Sequence, residues 1–417
     1  MKVLHVLPYY APAWTYGGVV RAATDLTRAL VTEGHSVYVL TTDTFSPSRR
    51  IRKPHQAIGG VHVYRVPNIS NSLRGRLNLS SPMGIRRLAR RLIREHEIDV
   101  IHCHELRTVE NLRIAPLANR LGVPLVVSPH GTLPTTTGRR SVKTLWDYLF
   151  ARRLLKRFDR VIALTPDEAE QARRLWSQYA DAVFECSVVP NGIHIKDFDA
   201  LPPTEPFRTL WKLGSGPVVL FLGRLHERKG VQVLIPAFAD AVKHAPDARL
   251  LVVGPDEGMR STLEAQVGQY NLAGRVIFTG LLTGQDKLAA LSAADLFALP
   301  ADGEGFSMAV LEAMACGLPV LLTPGCHFPA AADEGAGLVV PRAVEPVSAA
   351  LSTLLTDRQR RASMGRRARE LVSARYTWPH VVAQMIEAYE AAQDTQRSQR
   401  DTPEHRKTKR EVNEWGF

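Results

Sequence analysis

The stretch DLFALPADGEGFSMAVLEAMACGLPVLLTP, residues 295–324, decides how the rest of the chain is read. It opens with an apolar run, DLFALP, short enough for a buried strand. A glycine-bearing loop follows, then a helical pattern over 307–316 that stops at Gly317. A second apolar run, PVLLTP, comes at once after it. Strand, helix and strand in so short a span form the unit of a parallel sheet, because parallel neighbours need a crossover connection.

Upstream of this unit the same alternation runs through PVVLFLGR, a helix over 230–243, ARLLVVGP, a helix over 258–269, RVIFTG and a helix over 284–293. It also runs forward from residue 1. KVLHVLP, a helix through Val19–Glu33 closed by Gly34, and HSVYVLTT make an opening unit. The strands VHVYRVP, DVIHCH, PLVVSPH, RVIALTP and SVVPN follow, with helices around 83–96, 107–121, 141–158 and 166–176. Between the two series, residues 197–216 carry three prolines and two closely spaced glycines, which reads as a linker. The fold class is therefore α/β, with two Rossmann-like doubly wound domains facing across a cleft. The expected boundaries are 1–196, a linker over 197–216, a second domain over 217–375, a final amphipathic helix over 376–392 that crosses back to the first domain, and a disordered polar tail over 393–417.

The totals agree with such a reading. A length of 417 residues exceeds one ordinary core, and 45% hydrophobic with 23% charged residues is the balance of a globular protein. No apolar run is long enough to span a bilayer, and the N-terminus starts as a strand without a signal-like apolar region, so a cytoplasmic place is expected. Four cysteines without a CxxC pair give no disulfide or zinc framework. The net charge of +12 favours anionic partners, and half of it lies in residues 139–160, where eight Lys/Arg face two Asp. With Leu145, Trp146, Leu149, Phe150, Leu154 and Phe158 interleaved, this segment reads as a domain helix with an apolar core face. Its cations could also meet an anionic membrane from the inner side. No aromatic-basic pattern of a nucleic-acid module is present, so nucleic acid is excluded as a partner.

Chemistry-bearing residues fall at the strand ends. Glu304 stands in the loop before the helix start at Gly305, Phe306 and Ser307, and Glu312 lies further along the helix. Free N–H groups at that start suit a diphosphate, and a carboxylate about 7–12 Å away at 1.5 Å per residue suits the hydroxyls of a ribose. In FLGRLHERKG, 221–230, Arg224 and Lys229 follow a strand end and can neutralise phosphates without a metal. In the first domain, Gly17 and Gly18 open a helix after a strand and allow close backbone approach to a ligand. His104 and Glu105 end the strand DVIHCH and are candidates for the acceptor side. Asp197-Phe198-Asp199 has the form of a metal-binding DxD, but its place in the hinge makes it incidental, and no metal ligand set is assigned.

Together FLGRLHERKG, EGFSMAVLEAMACGLPV (304–320), VPNGI (189–193), SPHGTL (128–133) and YGGVV resemble the GT4 family of GT-B glycosyltransferases, over residues 1 to about 392. The resemblance implies a retaining, metal-independent transferase that uses a nucleotide-diphosphate sugar as donor substrate, without a further cofactor, and a glycan or lipid-linked acceptor in polysaccharide assembly. By the same likeness Arg224 and Lys229 clamp the donor diphosphate, Glu312 holds the ribose, and Glu304 with the amides of Gly305, Phe306 and Ser307 contacts the transferred sugar and its phosphate. His130 matches the family's active-site histidine, near the reacting carbon. One departure is GCHFPA after PVLLTP: Ala330 cannot supply the acid that relatives carry there, and Asp333 or Glu334 are the alternatives. A nucleotide-sugar epimerase, a phosphorylase and a non-catalytic sugar-binding subunit are the rival readings. The retained pairs Glu304 and Glu312, Arg224 and Lys229 speak against the last.

Overall fold

A computed structural model describes residues 1–70, 80–134, 140–180 and 184–401. The chain divides into two compact units: Met1–Asn191 together with the chain from Val381 onward, and Gly192–His380.

The first unit holds an eight-stranded sheet in the order β3-β4-β2-β1-β5-β6-β7-β8. Its strands are β1 (Lys2–Val6), β2 (Ser36–Thr42), β3 (His55–Ile58), β4 (Val61–Val66), β5 (Val100–His104), β6 (Leu125–Ser128), β7 (Arg160–Ala163) and β8 (Cys186–Val188). Every pairing is parallel except β3 with β4, an edge hairpin that the alternation of apolar runs did not announce. Helices α1 (Gly18–Thr32), α2 (Ile85–His96), α3 (Val109–Leu121), α4 (Arg140–Trp146) and α5 (Pro166–Tyr179) complete it. In α2, Ile85, Ala89, Leu92 and Ile93 are buried while the arginines between them stay outside, the spacing of one apolar helix face.

The expected single helix over 141–158 is broken: α4 passes into a π-helical turn, Asp147–Ala151, then short helical turns to Arg157. The cause is tertiary. The buried Asp147 carboxylate is clamped by Arg107 at 2.7 and 2.8 Å, and Arg107 also donates to the carbonyls of Thr132 and Leu133. A π turn brings one carboxylate inward without ending the helix. Arg139, part of the basic segment, lies outside the described residues.

The second unit is a six-stranded parallel sheet in the order β11-β10-β9-β12-β13-β14. The strands are β9 (Val218–Leu222), β10 (Arg249–Val253), β11 (Val276–Gly280), β12 (Leu296–Leu299), β13 (Val320–Leu322) and β14 (Gly337–Val339). The longer helices are α6 (Thr204–Leu210), α7 (Val231–Ala241), α8 (Arg260–Gln269), α9 (Gly284–Ala293), α10 (Met308–Ala315), α11 (Val344–Thr356) and α12 (Arg358–Arg375), with a single helical turn at Ala330–Asp333. Strands such as Val218–Leu222 are apolar throughout because helices cover both faces.

The segment 197–216 is part of this unit: Phe198 and Phe207 lie in its core, and Arg208 on α6 pairs with Asp295 at 2.9 Å. Asp199, the second acid of the DxD, is taken by Arg369 at 2.5 Å. The last helix, α13 (Trp378–Asp401), starts in the second unit, and the chain rejoins the first unit at Val381. It continues past residue 393, where a disordered tail was expected; residues 402–417 lie outside the described residues. Among the described residues no helix is long and apolar enough to cross a membrane.

Candidate active site

In an open α/β sheet, ligands bind beyond the carboxyl ends of the strands where the order reverses. In the second unit that point lies between β9 and β12. β9 leads into Gly223, Arg224, Leu225 and His226, then a 3-10 turn over Glu227–Lys229. β12 leads into the loop 300–307 and α10.

The two loops are stitched together. Arg228 donates from its guanidinium to the carbonyls of Asp302, at 3.2 Å, and of Gly303, and the Asp302 amide returns a bond to the Arg228 carbonyl at 2.7 Å. Gly230 ends the turn with φ +81°, and a Cβ there would fall 1.9 Å from the Pro300 carbonyl oxygen, so only glycine allows this approach. The carbonyl of Gly325 fixes the far side by accepting the amides of Gly303, at 3.1 Å, and Glu304, at 2.8 Å. Phe306 packs edge-on against Phe328.

On this frame each expected donor-binding cation is paired with an acid. The Lys229 ammonium donates to the Glu304 carboxylate, and both side chains are mostly shielded, at 19% and 13% exposure. Arg224 donates to both oxygens of Glu257 at 2.7 and 2.9 Å and stays 60% exposed. Glu312, the fifth residue of α10, accepts from Lys287 on α9 at 2.8 Å. Ser307 is the N-cap residue of α10, yet its side chain makes no capping bond, so the first-turn N–H groups take no acceptor from it. Glu334, one candidate for the acid missing at Ala330, is bound to Arg375 at 2.5 Å.

Sequence reasoning missed Glu257, Lys287 and Arg228. Glu257 follows β10, the neighbour of β9, so sheet order would have placed it beside Arg224 had the order been known. Because Glu257 competes for Arg224, Glu257→Gln is expected to tighten nucleotide-diphosphate binding by about threefold, the scale of an exposed ion pair. Isothermal titration with a nucleoside diphosphate measures this; weaker binding would show that Glu257 helps the ligand.

In the first unit the order reverses between β1 and β5. Beyond β1, Gly17 caps α1 with φ +95°, and both Gly17 and Gly18 have open space where a Cβ would stand. β5 ends at His104, and β6 is followed by Pro129, His130 and Gly131. His130 has a left-handed φ of 56°. Its turn is held by the buried carboxylate of Glu168, which accepts the Gly131 amide and, at 2.7 Å, the Leu164 amide. His130 and His104 meet through ring nitrogens at 2.8 Å, and His104 meets His5 at 2.9 Å. Burial pushes the His130 imidazole down to about 4 and His5 to about 3, with His104 also well below its ordinary value.

One expectation fails here. His104 has no exposed surface, so it cannot line an acceptor site; it backs His130 instead. Glu105 follows with a φ of 61°, its amide bonded to the Ser128 carbonyl at 2.8 Å.

A family profile described as "Glycosyl transferase 4-like domain" matches residues 17–192, and "Glycosyl transferases group 1" matches residues 207–371. The phosphatidyl-myo-inositol mannosyltransferase of Mycolicibacterium smegmatis is 31% identical over 397 residues, covering 94% of each chain. The chain belongs to the GT4 glycosyltransferases. Another relative of this GT4 enzyme is the GDP-mannose:cellobiosyl-diphosphopolyprenol alpha-mannosyltransferase of Xanthomonas oryzae, 27% identical over 94% of this chain and 97% of its own. Among solved structures, sucrose-phosphate synthase from Thermosynechococcus elongatus superposes with a TM-score of 0.71 at 22% identity, covering 94% and 98% of the two chains. Anabaena HepE in complex with UDP-glucose does so with 0.68 at 20%, covering 94% and 100%. These likenesses establish the GT-B fold.

Proposed function

We propose that this GT4 enzyme transfers a hexosyl group, with retention and without a metal, from a nucleotide-diphosphate sugar to a lipid-linked or glycan acceptor in the assembly of a polysaccharide or glycolipid. What supports the donor reading is the pairing of Lys229 and Arg224 with carboxylates beyond β9, β10 and β12. Each cation holds an anionic group at the place where such a sheet takes its ligand, and a diphosphate carries the same kind of charge. On donor binding the diphosphate replaces Glu257 on Arg224 and shares Lys229 with Glu304. The amides of Gly305, Phe306 and Ser307 add donors without charge. The leaving diphosphate is then stabilised by fixed cations and dipoles, the service a divalent ion gives elsewhere. Glu312 accepts the ribose hydroxyls, with Lys287 keeping its carboxylate in place. Glu304 and His130 contact the transferred sugar, and Gly17 and Gly18 allow backbone approach to it. Retention is carried over from the family likeness, with leaving group and acceptor on one face of the sugar.

The relatives' names guide donor and acceptor. One is named for a phosphatidyl-inositol acceptor and another for GDP-mannose and a diphosphopolyprenol-linked sugar. GDP-mannose is therefore the donor we expect, and a lipid-anchored polyol or glycan the acceptor class. The surface of the basic segment fits such an acceptor. Trp146, Leu154 and Phe158 are buried, whereas Leu145, Tyr148 and Leu149 stand 58%, 78% and 54% exposed. Their i, i+3, i+4 spacing puts them on one side of the turn, near the exposed Arg152 and Arg153. An apolar and aromatic turn flanked by cations suits peripheral contact with an anionic membrane, at its cytoplasmic face.

A thermal-shift panel of UDP-, GDP- and ADP-sugars tests the donor, with GDP-mannose expected to stabilise most. Turnover should survive EDTA, and product NMR should show the donor's anomeric configuration kept. Vesicles with anionic lipid should co-sediment the enzyme and neutral ones should not. A strict need for a divalent ion, or an inverted product, would end the mechanistic part of this reading.

A further inference from the structure

Three imidazoles stand in series, the partly exposed His130 at one end and the fully buried His104 and His5 behind it. His130 Nε2 lies 2.8 Å from His104 Nδ1, and His104 Nε2 lies 2.9 Å from His5 Nδ1. The ring planes of His104 and His130 lie within 17° of each other with centroids 5.1 Å apart, and those of His5 and His104 within 20° at 5.2 Å, so the rings meet edge to edge and nearly in plane, as N–H···N bonds require. His5 and His104 have no exposed surface, so no solvent can bond to them. His5 Nε2, the inner end of the series, has no hydrogen-bond partner among the described residues. His102 stands beside the series but belongs to a separate network, bonded to Ser128 Oγ and Tyr389 OH at 2.8 Å each. His5, His102 and His104 also offer ring nitrogens within 4.8 Å of one another, close enough to raise the question of a metal. Four of those six nitrogens are already spent on hydrogen bonds to protein groups, and a fifth, His104 Nδ1, on His130.

A neutral imidazole has one N–H and one lone pair. Two hydrogen bonds in series through neutral rings must therefore run in the same direction, and only two directions exist. In one, His130 Nε2–H donates inward, His104 Nε2–H donates to His5, and His5 is left with an N–H at Nε2, buried and unbonded. In the other, His5 Nδ1–H donates to His104, His104 Nδ1–H donates to His130 Nε2, and the inner end is a bare lone pair. Buried N–H groups left without a partner are rarer than under-used acceptors, and an unmade buried donor is costly.

We propose that His5 and His104 are positioning residues that lock His130 in the tautomer with its proton on Nδ1, making it a hydrogen-bond donor toward the bound donor sugar. The inference rests on the reading that His130 contacts that sugar. In this state His130 serves an oxygen acceptor, a sugar hydroxyl or phosphate oxygen, and does not serve as a base through Nδ1. The Pro129–Gly131 turn, held by Glu168, fixes the ring's backbone, and the imidazole series fixes which nitrogen carries the proton.

The tautomer is read directly by long-range proton–nitrogen correlation spectra of the ligand-free enzyme labelled with 15N-histidine, with His130 assigned from the spectrum of His130→Gln. The Nδ1–H pattern is expected for His5, His104 and His130 at pH 7.5, and an Nε2–H pattern at His130 overturns the proposal. The functional arm uses His5→Leu, which removes the donor, and His5→Asn, whose amide can place an N–H where Nδ1 stood. His5→Leu is expected to lower kcat with GDP-mannose about tenfold, with its KM within about threefold, the effect of one misdirected hydrogen bond. His5→Asn is expected to recover most of the loss. A folded His5→Leu with unchanged kcat overturns the proposal, and if that variant does not fold, the tautomer of the unaltered enzyme decides alone. Full activity in His130→Gln would instead remove the sugar contact and leave the tautomer result standing, so the two failures are distinct.

Discussion

Lys229→Ala is expected to lower kcat on the order of 100-fold or more, and Arg224→Ala to do the same, when turnover of the preferred sugar nucleotide is measured at saturation. Removing one preorganised donor from a developing oxyanion costs about 100- to 1,000-fold where such losses have been measured. Here the developing charge is a leaving diphosphate, and the two side chains stand on one short segment between β9 and α7. Their folding consequences should differ. Arg224 is largely exposed and its partner Glu257 lies at the surface, so Arg224→Ala should melt like the unaltered enzyme. Lys229 and Glu304 are both shielded, so removing the ammonium strands a carboxylate at a cost of about 1–3 kcal/mol. Lys229→Ala/Glu304→Gln should regain much of that stability without regaining kcat. The pattern separates a chemical role from a structural one. Both single variants retaining more than a tenth of the turnover would rule out leaving-group stabilisation by these cations.

The parallel sheets were readable because buried parallel strands are continuous apolar runs, and FLGRLHERKG and the 303–320 segment stand where such runs end. What escaped the reading was decided by contacts distant in the chain. β14 is only three residues, Gly337–Val339, and β3 is the edge segment His55–Ile58 with half its residues polar. Prolines and glycines in 197–216 correctly mark turns, but nothing local says that Phe198 and Phe207 dock into the second unit's core. The π turn at Asp147 exists because Arg107, forty residues earlier, claims that carboxylate. Polar composition after residue 393 reads as disorder, yet α13 continues to Asp401. The misplaced role of His104 has the same origin. A strand-end histidine alternates in or out with the pleat, and only the sheet register, with His104 opposite Ser128, brings it behind His130. Likewise the carboxylate partners of Arg224 and Glu312's lysine come from neighbouring strands and helices.

Acidification from pH 7.5 to 5.5 is expected to destabilise the first unit by about 4 kcal/mol, through histidines that the fold keeps neutral. His5, His102 and His104 have no exposed surface, and burial drives each imidazole well below its ordinary value, His5 to about 3. The unfolded chain returns each to about 6.5. Between those two values the unfolded state binds more protons than the folded one, so stability falls as pH falls and is fully present above about 7.5. One pH unit below the unfolded value costs about 1.4 kcal/mol per histidine, and the three groups without exposed surface give the stated sum, to which the partly exposed His130 adds in the same direction. Glu168 works in the opposite direction: burial raises its carboxyl, so its contribution improves slightly on acidification, against the larger histidine effect. Guanidinium unfolding followed by tryptophan fluorescence at pH 7.5, 6.5 and 5.5 measures the slope, with Trp146 and Trp176 reporting from the first unit. His102→Gln can still bond Ser128 and Tyr389 and should make the slope shallower by one proton, about a third of the effect. A stability that stays flat from pH 7.5 to 5.5 would mean that these imidazoles reach solvent or are protonated in the native state, and the one-way hydrogen-bond series behind His130 would fall with it.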